Sequence, residues 1–265
     1  MLEHNEITHI IPNVKELDAY VEMAEQYSLG FEYNDFFIPD LLDDPKEVRQ
    51  RIAVYNGLGR PKGRDTLHGA FLDIVPFSQD SGIRKHSIYR MQQSVEIAGE
   101  LGCRGVIFHT GLIPDMVGDE KYNSRWLAIM ADTIRMLLKQ DSSIEIYCEN
   151  MFDDSPQALA ELAKLLREEE RFGVCLDIGH MMLKTKEPAE WFRILGSSIR
   201  HFHMNDNYLK RDNHLALGDG EIDWNDIFAL MSRHGLWDRS RLLEVSDLQK
   251  IHSSLDYLKK QHFNA

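Results

Sequence analysis

The sequence predicts a single (β/α)8 barrel, the TIM barrel, and three observations carry that prediction. Short apolar runs alternate with longer amphipathic stretches from one end to the other. There are eight such runs, which suits an eightfold barrel better than a doubly wound sheet. Each run-plus-stretch repeat is about 30 residues or more, the length of a strand–helix unit. No linker, low-complexity tract or break in composition divides the chain, so residues 1–265 are expected to form one domain.

The runs come in order as THIIP (8–12), GFEYN (30–34), DTLHG (65–69), GVIFHT (105–110), IEIYCEN (144–150), FGVCLDIG (172–179), IRHFHMN (199–205) and RLLEVS (241–246). Helical spacing appears between them in VKELDAYVEMAEQY, RKHSIYRMQQSVEIAGELG and SPQALAELAKLLREEE. The second should stop at Gly102, a C-cap residue able to turn left-handed. The third should start with Ser155 as N-cap and Pro156 in the first helical position.

Composition narrows the function classes. Hydrophobic residues make up 43% of the chain, enough for a sizeable core. No run of 18 apolar residues exists to span a membrane, and MLEHNEITHIIP lacks the basic and apolar regions of a signal peptide. A cytoplasmic location is the expectation. Cys103, Cys148 and Cys175 are odd in number and far apart, so a disulfide framework is not expected. Cys148 and Cys175 fall in apolar runs and read as buried, inert thiols. The formal net charge of −13 disfavours nucleic acid, whose binders carry a basic footprint.

Barrel enzymes place their chemistry at the C-terminal ends of the strands. Those ends carry His68, His109, Glu149, Asp177 with His180 just beyond, His203 and Glu244. The loop after the seventh strand adds Asp212 and His214. All are His, Asp or Glu, a set that suits Zn²⁺, Mn²⁺ or Co²⁺. Taken singly, a strand-end histidine is usually structural, Asp177 could cap the next turn, and Glu244 could pair with an arginine. Carboxylates inside apolar strands are harder to dismiss, because an unpaired buried charge is strongly unfavourable. Glu149, Asp177 and Glu244 share that setting, and His203 lies on the strand between the last two.

His201 is a useful control. It faces the same side as His203 but about 7 Å nearer the strand's start, so it is expected in a lower layer and not as a ligand. Beyond His203, Gly218 and Gly220 should allow a tight backbone turn, and Asp223 should cap the next helix. Lys210 and Arg211 read as solvated loop charges that could also reach a substrate phosphate.

The segments LHGAF, VIFHTG, CEN, LDIGH, HFHMND, HLALGDGEIDW and LLEVS together resemble the xylose-isomerase-like barrel superfamily. That group spans sugar and sugar-phosphate isomerases and epimerases as well as metal-dependent apurinic endonucleases. In the isomerase and epimerase branch, the resemblance implies one divalent ion held by Glu149, Asp177, His203 and Glu244. The ion stabilises enediolate-like charge while Glu149 and Glu244 serve as base and acid. His180 would bind a substrate oxygen, with His68, His109 and His214 as further substrate contacts. In the endonuclease branch, three zinc ions would be held by those residues together with Asp212. The acidic segment DFFIPDLLDDPKE lacks the Lys or Arg that a DNA-gripping loop there should carry. The expected partner is therefore a small sugar or sugar phosphate, with phosphodiester hydrolysis as the alternative. A barrel that only binds a ligand is a third reading, disfavoured by the intact set of ligand positions. Members of the sugar branch are often oligomers, so self-association stays open.

Overall fold

The computed structural model describes residues 7–262. All eight expected strands form, each within its predicted run: β1 (Thr8–Ile10), β2 (Gly30–Tyr33), β3 (Thr66–His68), β4 (Gly105–His109), β5 (Glu145–Glu149), β6 (Phe172–Asp177), β7 (Ile199–Met204) and, beginning one residue early, β8 (Ser240–Leu243). Every neighbouring pair is parallel, and β8 closes on β1, giving a closed barrel in sequence order. The strands are almost wholly buried, as expected when helices cover the outer face.

The helices are α1 (Leu17–Tyr27), α2 (Pro39–Leu42), α3 (Pro45–Asn56), α4 (Ser81–Leu101), α5 (Glu120–Gln140), α6 (Gln157–Leu165), α7 (Ile178–Lys184), α8 (Pro188–Leu195), α9 (Trp224–Arg233) and α10 (Leu248–His262). They pack their apolar faces on the barrel through large buried side chains such as Trp126, Trp191 and Trp224. Helix α4 ends at Gly102 with φ 69°, the left-handed C-cap the sequence predicts. Asp223 caps α9 by accepting from the backbone N–H of Asn225 and Asp226.

The predicted start of α6 needs correction. Pro156, not Ser155, occupies the N-cap position, no side chain caps the helix, and the helix ends at Leu165, short of the REEE run. Pro156, with φ −77° and ψ −4°, lies in the right-handed helical region, and the helix begins after it at Gln157, which leaves Ser155 one residue short of the cap position.

All three cysteines are buried and free. Burial pushes each thiol well above its usual range. No helix among the described residues is long and apolar enough to cross a membrane. Met1–Glu6, half of the stretch read for a leader, lie outside the described residues.

The register positions the site. His109 of β4 pairs with Glu149 of β5, and Asp177 of β6 pairs with His203 of β7. Backbone pairing thus aligns two pairs of functional side chains, while between β5 and β6 Glu149 pairs with Cys175, two residues before Asp177.

Candidate functional site

Glu149 is the hub of the barrel mouth. It ends β5 with no exposed surface. Its Oε2 lies 3.3 Å from His109 Nε2, 3.4 Å from His203 Nδ1 and 3.6 Å from His68 Nε2. Its Oε1 lies 3.5 Å from His180 Nδ1. Burial works against the Glu149 charge, but the surrounding imidazoles, His203 and His109 foremost, hold the carboxyl well below the usual range.

Asp177 does two jobs. It is the last residue of β6 and the N-cap of α7, its Oδ1 accepting from His180 N at 2.5 Å. The capping role and the site role therefore coexist. That cap also fixes His180 at the first turn of α7, over the mouth. Burial, reinforced by the charges of Glu244 and Glu149, pushes the Asp177 carboxyl well above its usual value. Glu244 follows β8 directly and is 8% exposed. Its Oε2 lies 3.7 Å from His203 Nδ1 and accepts from Asn205 Nδ2 at 3.2 Å.

The loop after β7 brings Asp212 and His214 to the same place. Asp212 Oδ2 lies 2.7 Å from His214 Nε2 and 3.4 Å from His180 Nε2. His214 Nδ1 meets the Glu244 backbone oxygen at 2.8 Å. His214 has φ 46°, a left-handed conformation that costs a non-glycine residue on the order of 1 kcal/mol. Such strain persists where surrounding contacts hold it, and here both ring nitrogens are engaged. Opposed burial and Asp212 effects leave the His214 imidazole pushed up to about 9. Burial also opposes the Asp212 charge, but His180 and His214 keep that carboxyl below its usual value.

The loop is anchored by Asp206, which has no exposed surface. Its carboxylate accepts from the N–H of Asn207, Gly218 and Ile222 and from Trp224 Nε1. Gly218 has φ 86°, and a Cβ on Gly220 would fall 2.2 Å from Asp206 Oδ1. Both glycines are thus required by the turn. Lys210 and Arg211 are exposed on the loop.

All nine residues named from the sequence therefore meet at one end of the barrel. They form overlapping groups: His68, His109 and Glu149; Glu149, Asp177 and His180; Asp177, His203 and Glu244, each with donor atoms within 4.8 Å of one another. His180, Asp212 and His214 form a further contiguous set. The donors fit a divalent ion on two counts. Ligand atoms 2.0–2.1 Å from a tetrahedral zinc lie about 3.3 Å apart, close to the separations around Glu149. Both Glu149 oxygens and His203 Nδ1 are also buried without a hydrogen-bond partner. Buried polar atoms are seldom left so unless an ion or water satisfies them.

A cavity of 470 Å³ opens above this floor. His68, His109, His180, Asp212, His214 and Glu244 reach its surface; Glu149, Asp177 and His203 lie beneath. Its walls include Ile11, Phe37, Phe71 and Val245, and among the described residues no Lys or Arg lines it.

Sequence reasoning missed Glu32, Asn205 and Asp206, all fully buried. Glu32 lies in the apolar run GFEYN, the same signal that marked Glu149. His201 lies where the control predicted, fully buried below the ligands, with Nε2 3.3 Å from Glu32 Oε2. His9 lies inside β1, its ring nitrogens meeting the carbonyls of Arg241 and Arg64.

The sequence model of the xylose isomerase-like TIM barrel family matches residues 20–261, and the chain belongs to that family. An uncharacterized protein of Methanocaldococcus jannaschii is 28% identical over 227 residues, covering 82% of this chain and 75% of its own. Among solved structures, the TTHB071 protein from Thermus thermophilus, soaked with zinc chloride, superposes with a TM-score of 0.76 at 21% identity, covering 97% of this chain and 98% of its own. A D-tagatose 3-epimerase-like protein gives 0.73 at 23% identity, with 96% of each chain covered. Endonuclease IV from Thermus thermophilus gives 0.66 at 18% identity, covering 98% of this chain and 99% of its own.

Proposed function

We propose that the chain is a divalent-metal-dependent isomerase or epimerase acting on a small sugar or sugar phosphate. The observation that carries this reading is the cavity itself. Its 470 Å³ suits a small molecule, and its described lining combines imidazoles with apolar walls and no Lys or Arg. A phosphodiester chain would enter a mouth without Lys or Arg to meet it.

Glu149, Asp177, His203 and Glu244 would hold the ion. Bound there, a divalent metal polarises a carbonyl or hydroxyl oxygen and stabilises the negative charge that develops when a neighbouring C–H is broken. The protein's own residues do the rest. Glu244 is the carboxylate of the four that reaches the cavity surface, so it is placed to take the proton from carbon and return it. Glu149 is closed off from the cavity by the imidazoles of His68, His109 and His180, so we assign it first to holding the ion. This narrows the expectation that Glu149 and Glu244 serve as base and acid. The imidazoles on the cavity floor would hydrogen-bond the sugar oxygens. Phe37, Phe71 and Val245 shield the reacting carbon from water, which favours return of the proton over exchange.

A second reading is favoured by one specific observation: nine donors in contiguous groups could hold more than one ion and hydrolyse a phosphodiester. Two assays on the metal-loaded protein test the choice. Interconversion of ketoses, aldoses or their phosphates, abolished by chelator and restored by Mn²⁺, Zn²⁺ or Co²⁺, supports the isomerase or epimerase. No sugar turnover, together with metal-dependent nicking of DNA at abasic sites, replaces it with the second reading.

A further inference from the structure

We infer that Glu32 is a positioning residue that fixes the ring of His203, so that Nδ1 of that imidazole is the atom presented to a metal. This rests on the metal-binding reading of the site but not on which reaction it performs. The two nitrogens of His203 face opposite environments. Nδ1 points up, toward Glu149 at 3.4 Å, Glu244 at 3.7 Å and Asp177 at 4.0 Å. Nε2 points down, to Glu32 Oε1 at 3.1 Å. A neutral imidazole carries its proton on one nitrogen only. A carboxylate beside Nε2 draws the proton there and leaves the Nδ1 lone pair free. It also raises the basicity of the nitrogen that binds metal.

Glu32 is built to stay in place. It has no exposed surface and lies mid-strand in β2. Its Oε2 accepts from Thr66 Oγ1 at 2.8 Å and lies 3.3 Å from His201 Nε2. His201 is itself held, with Nδ1 2.8 Å from Ser240 Oγ and its ring stacked on Tyr147 at 5.7 Å. An isolated carboxylate this deep would be severely destabilising; Thr66 Oγ1 donates to its Oε2, and the imidazoles of His201 and His203 lie close enough to offset its charge. Thr66 of β3 and the two histidines of β7 converge on Glu32, and the element they serve is the upper site. Nothing in the fold of β2 calls for a charge here, since the neighbouring positions Phe31 and Tyr33 are buried aromatics.

The experiment is a Co²⁺ titration of the chelator-stripped full chain, read by visible absorption of the bound ion and not by turnover. Glu32→Gln keeps the shape and removes the charge. It is expected to weaken Co²⁺ binding by about 10–100-fold and to change the absorption spectrum. A merely structural role for Glu32 would lower the melting temperature of the metal-free protein and leave affinity and spectrum unchanged; that result overturns the inference. Thr66→Val removes one donor to Glu32 and should weaken Co²⁺ binding in the same direction by less than about tenfold. If Glu32→Gln does not fold, this variant decides, and wild-type affinity in it overturns the inference. Wild-type protein that takes up no Co²⁺ would bring down the metal reading as a whole, whereas tight binding by both wild type and Glu32→Gln would remove Glu32 alone.

Discussion

Asp206→Asn tests how the β7 loop is held over the mouth. The wild-type carboxylate receives four donors, two on each oxygen: Asn207 N and Ile222 N on Oδ1, Gly218 N and Trp224 Nε1 on Oδ2. An amide keeps one oxygen and turns an NH₂ toward the other pair. Two buried donors then lose their acceptor and face a further donor. Each orphaned donor costs about 1–3 kcal/mol, so the variant should lose roughly 4 kcal/mol. That is a large part of the roughly 5–15 kcal/mol typical of a folded protein. Urea unfolding followed by fluorescence measures it, with Asp219→Asn as control. Asp219 is exposed on the same turn, and its variant should stay within about 0.5 kcal/mol of wild type. A loss below about 1 kcal/mol in Asp206→Asn would refute the idea that this one carboxylate anchors the segment carrying Asp212 and His214.

Other outcomes follow from the same geometry. Glu149→Gln and Glu244→Gln should each abolish turnover, a loss of at least about a hundredfold, with Glu149→Gln also losing bound metal; normal activity in Glu244→Gln would remove it from the mechanism. His214→Ala should raise KM in a one-ion sugar enzyme but remove an ion and about a hundredfold of activity in a multinuclear hydrolase, so metal content and kinetics together separate the readings. Asp153 offers a pH test. Burial pushes its carboxyl from 3.8 up to about 6, against the hydrogen bond from Thr110. Between those values the folded protein keeps a proton the unfolded chain has released, so this stabilisation is present at about pH 4 and lost as pH rises through about 6. The stability of wild type relative to Asp153→Asn should therefore fall by about 3 kcal/mol from about pH 4 to pH 7 in paired denaturation curves; parallel curves would contradict it.

The barrel was legible because its strands are short, apolar and separated by clear helical stretches. Glu149, Asp177 and Glu244 were legible because a carboxylate in an apolar strand needs a partner. Glu32 carries the same signal but sits mid-strand, below the mouth, where a rule about strand ends does not look. Asp206 was hidden for another reason. Its near neighbours Asn205 and Asn207 are polar too, and only the path of the loop shows that four donors converge on it. The start of α6 was misplaced because Ser-Pro fits a capped helix start, while the helix begins one residue later, with Pro156 at the N-cap and no side chain capping it. The cavity's lack of Lys and Arg is likewise a property of packing, since Lys210 and Arg211 lie beside the site in sequence yet stay outside its walls.

The central claim is that Glu149, Asp177, His203 and Glu244 hold a divalent ion. Metal content per chain answers it directly, by elemental mass spectrometry on protein purified without added metal or a histidine tag. We expect at least one Mn²⁺, Zn²⁺ or Co²⁺ per wild-type chain, and none at this site in Asp177→Asn. A count near one supports the isomerase or epimerase, and two to three zinc ions support the hydrolase. Wild-type protein that carries no ion, and takes up none on reconstitution, would contradict the account.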